Sequence, residues 1–140
     1  MKRKSLLTLI TIILAFGVFS YSHSDNNPPK KTLLIYFSGS DWCPDCIRLE
    51  KNVLRDTVFT YFLDHHGITV EQIDFPQRKK LTAEQIVHNE TIAEKYDFNG
   101  SFPTILLARP DTLKYVKLDQ SNLSAAQLMS QIKAKLQELQ

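Results

Sequence analysis

Cysteine is scarce in this chain: two residues of 140, Cys43 and Cys46, and none elsewhere. A structural zinc site takes about four ligands, so the lack of a second cysteine pair argues against one. His65 and His66, the only adjacent histidines, lie well downstream and read as a solvated helix end before Gly67. Ile47, not histidine, follows Cys46, which removes the c-type haem attachment pattern. No cysteine follows the N-terminal apolar run, which excludes a lipoprotein anchor. Long apolar runs are missing as well: Leu6 to Phe19 spans fourteen residues, short for a membrane span. Neither sign of charge dominates, with 17 basic against 15 acidic residues, and no internal repeat is present.

The N-terminus has the three-part layout of a secretory signal peptide: Lys2, Arg3 and Lys4, then the apolar run, then small polar residues. Cleavage after Ser24 leaves Ser22 and Ser24 at the two positions that matter; cleavage after Ser20 and an uncleaved anchor are the alternatives. Removing residues 1–24 leaves 14 basic against 15 acidic residues, a net charge of −1. The basic excess therefore belongs to the leader, and nothing argues for nucleic acid or an anionic membrane as partner. The expected organisation is a signal peptide over 1–24, a polar, proline-stiffened linker over 25–31 and one domain over 32–140. The expected location is exported, periplasmic or secreted, with no stable membrane span after cleavage.

Within the domain, strand and helix signals alternate. Leu33 to Phe37 is apolar throughout, as in a central strand covered on both faces. Ile47, Leu54, Val58 and Phe62 recur at helical spacing, with Gly67 as the stop. Ile68 to Phe75 reads as a second strand. Thr82 with Gln85, and Ser124 with Gln127, have capping-box spacing and mark two further helix starts. Thr104–Ala108 and Leu113–Leu118 read as a hairpin turning at Arg109-Pro110-Asp111-Thr112. Ala125, Met129, Ile132, Leu136 and Leu139 form the apolar face of the last helix. The predicted class is α/β, a central mixed sheet of about four strands with helices on both faces. The sequons at Asn89, Asn99 and Asn122 are taken as incidental.

The chemistry concentrates in Trp42-Cys43-Pro44-Asp45-Cys46. Proline there suits the first turn of a helix, where its missing N–H has no partner in any case. Cys43 then sits at a helix N-terminus, where free N–H groups and the dipole favour a thiolate. Asp45 favours the dipole but opposes a thiolate beside it, and Arg48 and Lys51 offset that charge. Cys43 is expected to be the nucleophile, more acidic than a free cysteine, and Cys46 the group that resolves a mixed disulfide. The competing reading is a purely structural disulfide.

Two separated motifs give the chain a resemblance to the thioredoxin family: Trp42-Cys43-Pro44-Asp45-Cys46 after a buried strand, and Tyr96-x-Phe98-x-Gly100-Ser101-Phe102-Pro103-Thr104 before the hairpin. The resemblance covers essentially residues 31–140. It implies a cis-proline at Pro103 packed against the active disulfide, with the backbone of Phe102 exposed to pair with an extended substrate; a trans Pro103 that merely opens a strand is the alternative. Trp42 and Phe102 would form an apolar rim. The chain also departs from the family pattern. Pro-Asp replaces the commoner Gly-Pro between the cysteines, and the family's buried acid falls at Tyr36 or Phe37, so Asp41 or Asp45 is the candidate for proton transfer. The approach Gly39-Ser40-Asp41 looks one residue longer than usual, and the first strand and helix of full-length thioredoxins are missing.

The function expected from the motif and the resemblance is an exported thiol–disulfide oxidoreductase. It has Cys43 and Cys46 as catalytic pair, Trp42, Pro44, Asp45 and Asp41 as support, and Trp42, Phe102 and Pro103 as substrate contacts. No cofactor or metal is required. Its partners would be cysteine-containing exported proteins and an unidentified thiol donor of electrons, with the reducing direction favoured. The alternatives are a non-catalytic binding module stapled by the disulfide, and a copper metallochaperone using the two thiolates as soft ligands.

Overall fold

The computed structural model describes residues 31–120 and 123–139. The signal peptide and all of the linker but Lys31 lie outside the described residues. Strand β1 (Thr32–Ser38) is buried along its whole length, because it is covered on both sides within the sheet and on both faces. It pairs in parallel with β2 (Ile68–Asp74), Thr32 opposite Ile68 through Ser38 opposite Asp74. On its other side β3 (Thr104–Arg109) runs antiparallel, Leu33 opposite Ala108 through Phe37 opposite Thr104. Strand β4 (Lys114–Lys117) closes the four-stranded order β2-β1-β3-β4.

Alternation along β1 divides the core into two layers. Leu34 and Tyr36 face a cluster with Cys46, Leu49, Val53, Phe59, Phe62, Leu128 and Ile132. Leu33, Ile35 and Phe37 face Ile73, Tyr96, Leu106 and Ala108, with Ile92 and Phe98 packed against them. The first layer is roofed by α1 (Pro44–Leu49), α2 (Thr57–His65) and α4 (Ala125–Glu138), and the second by α3 (Ala83–Lys95). Both capping boxes form. Gln85 N–H donates to Thr82 Oγ1 at 3.2 Å while Thr82 N–H donates to Gln85 Oε1 at 2.9 Å. The same reciprocal pair joins Ser124 and Gln127 at 3.3 and 2.8 Å.

The single helix expected after the cysteine motif is instead two helices. A π-helical turn, Glu50–Leu54, follows α1 directly, and Asp56 then caps α2 by accepting the Phe59 N–H at 2.8 Å. The wider π-turn shifts the phase of the inward face. Ile47 and Val58, read as core, are 46% and 62% exposed, and Cys46, Leu49, Val53, Phe59 and Leu63 point inward with Phe62. In α4 the apolar stripe is centred differently from the reading: Leu128, absent from it, is fully buried beside Ile132, and Met129 and Leu136 only flank the core. Strand β4 is shorter than expected, because Leu113 takes a positive φ of 57° in the turn and is exposed.

Candidate functional site

Parallel pairing of β1 with β2 and antiparallel pairing of β1 with β3 bring three connections to one end of the sheet. These are the loop after β1 with the cysteines, the loop after β2, and the approach to β3 with Phe102 and Pro103. Because Phe37 lies opposite Thr104, the two sequence motifs meet although some sixty residues separate Cys43 from Pro103.

The cysteine loop is held from beneath. Gly39 C=O accepts the N–H groups of both Trp42 (3.2 Å) and Cys43 (2.9 Å). A Cβ on Gly39 would stand 2.6 Å from Trp42 Nε1 and 2.7 Å from its Cζ2, so only glycine admits the indole there. The indole N–H donates to Phe75 C=O at 2.8 Å, and Phe75 N–H returns to Ser38 C=O at 2.8 Å. Asp74 accepts the Ser40 N–H (2.9 Å), the Ser40 hydroxyl (2.6 Å) and the Ser38 hydroxyl (3.2 Å).

Cys43 is the N-cap of α1, with extended backbone, and its Sγ accepts the Cys46 N–H at 3.2 Å. Pro44 opens the helix, as its geometry dictates. The two cysteines are joined in a disulfide with Cα atoms 5.3 Å apart. Cys43 keeps 5% exposure and Cys46 1%, so the first cysteine is the more accessible of the two. Tyr36 stands below the helix, its hydroxyl donating to Cys46 C=O at 2.9 Å. Burial, aided by the charges of Glu50 and Asp74, holds that phenol well above its ordinary range despite a lowering hydrogen bond with Ser38.

Of the two carboxylates that the sequence offered for proton transfer, neither is buried with Cys46. Asp41 accepts the backbone N–H groups of Gln77 (2.9 Å), Arg78 (2.8 Å) and Lys79 (2.8 Å), so it clamps the loop after β2. Partial desolvation pushes its carboxyl up, but those three donors and the Lys79 charge outweigh it and hold the group below the usual carboxylate range. Asp45 lies on the exposed side of α1, paired with Arg48.

Trp42 and Phe102 meet edge to face with ring centroids 5.3 Å apart, and Phe75 and Phe98 extend this aromatic rim at 5.7 and 5.1 Å from Phe102. The Phe102–Pro103 peptide bond is cis. A cavity of about 530 Å³ opens beside the disulfide helix, with Asp45, Arg48 and Asn52 on one wall and Pro103 and Gln120 on the other. Sequence reasoning passed over Asp74, Phe75 and Gln120, which reach the site only through the register of the sheet; the one local signal was the unusual Gly39-Ser40-Asp41 approach.

No family model matches the chain. The disulfide bond reductase DsbH of Chlamydia pneumoniae is 28% identical over 116 residues, covering 83% of this chain and 66% of that relative, so the chain spans just under two thirds of its length. A solved structure of a DsbH oxidoreductase superposes with a TM-score of 0.70 at 27% identity, over 77% of this chain and 74% of that one. A thioredoxin from Thermus thermophilus is a more distant neighbour, with a TM-score of 0.49 at 18% identity over 75% of each chain. The four-stranded sheet roofed on both faces and the closed Cys43–Cys46 pair at a helix start give this chain a thioredoxin-like fold, and in sequence and structure it is similar to the DsbH thiol–disulfide oxidoreductases.

Proposed function

We propose that the chain is an exported reductase of disulfides in other exported proteins, working through Cys43 and Cys46. The observation that carries this reading is the closed disulfide at the start of α1, with Cys43 Sγ already accepting a helix N–H. The same N–H stabilises negative charge on that sulfur once the disulfide is reduced. In the reduced protein, the Cys43 thiolate attacks one sulfur of a substrate disulfide. A Cys43–substrate bond forms, and the other substrate sulfur leaves as a thiolate. Cys46 then attacks Cys43 Sγ, closing the Cys43–Cys46 disulfide and releasing the second substrate thiol; the substrate gains two electrons and the pair loses them. An external dithiol protein restores the reduced pair. Trp42, Phe102 and Pro103 border the disulfide and are the surfaces a substrate segment would meet.

The reducing direction is supported by the likeness to the disulfide bond reductase of Chlamydia pneumoniae. Export is supported by the basic, apolar and small-residue layout of residues 1–24. Among the described residues no helix is long and apolar enough to cross a membrane.

A Cys46→Ser variant tests the reading. Expressed in the native compartment, it is expected to accumulate mixed disulfides with other proteins through Cys43, released by dithiothreitol and absent from the Cys43→Ser, Cys46→Ser double variant. Failure to trap any protein would favour a stapled binding module instead.

A further inference from the structure

Arg78, Lys79 and Lys80 form a run of three basic residues in the loop after β2, and all three are exposed. Residues 25–140 as a whole show no such excess, with 14 basic against 15 acidic side chains. Positive charge is therefore gathered at the end of the sheet where the cysteines lie. Asp41 fixes the loop there by accepting the N–H groups of Gln77, Arg78 and Lys79, and Lys79 Nζ donates to Ser40 Oγ at 3.1 Å. Asp41 and Ser40 precede Cys43 by two and three residues. The run also begins three residues after Phe75, whose ring packs 5.7 Å from that of Phe102 and whose C=O takes the Trp42 indole N–H. The basic side chains thus border the aromatic rim on the side of Trp42.

The nearest acids are engaged elsewhere. Asp41 gives both carboxylate oxygens to backbone N–H groups, with the Lys79 charge beside it. Asp74 gives both of its oxygens to Ser38 and Ser40, and Asp45 pairs with Arg48. Among the described residues, the Arg78 guanidinium and the Lys80 ammonium have no ion pair. We propose that Arg78 and Lys80 select substrate proteins whose disulfide is flanked by acidic residues. The proposal rests on the reductase reading above. Exposed charges beside a reacting sulfur act mainly on encounter: they concentrate a partner of opposite sign there and repel one of like sign. Because the loop is held through its backbone, these two side chains stay beside Cys43 and remain free to meet a partner's carboxylates.

Three disulfide-linked peptides of one sequence, with glutamate, glutamine or lysine flanking each cysteine, provide the test. Second-order rates of their reduction by the reduced, full-length protein are followed by acid quenching and chromatography. Dividing the wild-type rate by that of the Arg78→Glu, Lys80→Glu double variant cancels each peptide's own reactivity. At low salt the ratio is expected to be about ten for the glutamate peptide, the low end of electrostatic steering, and below one for the lysine peptide. Both ratios should approach one at about 1 M salt, where the screening length is about 3 Å. One ratio for all three peptides would overturn the proposal and leave the reductase reading standing, since a merely structural loss slows every peptide alike. If the wild type but not the variant then sediments with phosphatidylglycerol vesicles, the run serves an anionic membrane surface instead. A difference between peptides that persists at 1 M salt would also overturn the proposal. No reduction of any peptide by the wild type would remove the reductase reading and the proposal together.

Discussion

Cys43 and Cys46 are chemically identical and differ only in what surrounds them. Cys43 caps a helix and keeps some contact with solvent, while Cys46 is sealed against Tyr36 and the core. The roles proposed for them, nucleophile for Cys43 and resolving thiol for Cys46, rest on that contrast. The cysteine spacing and the proline between them made both positions legible in the sequence, because the helix start is a local property. Tyr36 was legible only as a missing carboxylate. Its hydroxyl meets Cys46 C=O through the packing of α1 on β1, which no short-range pattern encodes. Removing that hydroxyl with Tyr36→Phe leaves the carbonyl with the Glu50 N–H alone. The oxidised variant is expected to lose about 0.5–1.5 kcal/mol in urea unfolding, the usual net worth of one hydrogen bond. An unchanged midpoint would show that the bond does not help to hold the disulfide helix.

At the level of elements, the loop after β1 and the loop after β2 act as one unit. Asp41 holds the backbone of residues 77–79, Asp74 holds Ser38 and Ser40, and the Trp42 indole reaches Phe75 C=O. The Asp41 carboxyl is held below its ordinary value, so its contribution is fully present above the unfolded carboxylate pKa of about 3.9 and is lost as pH falls through the lower folded value. Trp42 is the only tryptophan, which makes its fluorescence a reporter of this unit. The emission is expected to stay constant from neutral pH down to about pH 4 and to change below it, whereas Asp41→Asn should lack the part of that change due to Asp41. A transition centred well above pH 4 in the wild type would contradict the assignment.

The strands and the capped starts of α3 and α4 were readable from apolar runs and capping boxes, since those signals are local and strong. The break between α1 and α2 was not. Ile47, Leu54, Val58 and Phe62 satisfy helical spacing on paper, but the π-turn changes the rotation per residue and Asp56 starts a new helix. Of the residues that periodicity singled out as its buried core, the true inward face therefore keeps Phe62 and, at its margin, Leu54. The backbone partners of Asp41 were hidden from the sequence for a related reason. Closeness to the cysteines in sequence suggested proton transfer, while the register of β1 against β2 places three backbone donors within its reach.

For the molecule as a whole, the sheet order decides what meets what. With β1 between a parallel β2 and an antiparallel β3, the cysteine loop, the loop after β2 and the Phe102–Pro103 segment must share one end. The two-layer core holds that end rigid while leaving the rim of Trp42 and Phe102 and the adjoining cavity open to a partner. The most direct test of the central claim is therefore the reduction potential of the Cys43–Cys46 pair in the mature domain, equilibrated against dithiothreitol and glutathione buffers. A catalytic pair with a stabilised Cys43 thiolate is expected between about −200 and −270 mV, whereas a disulfide resisting reduction until well below about −300 mV would mark a structural staple and contradict the account.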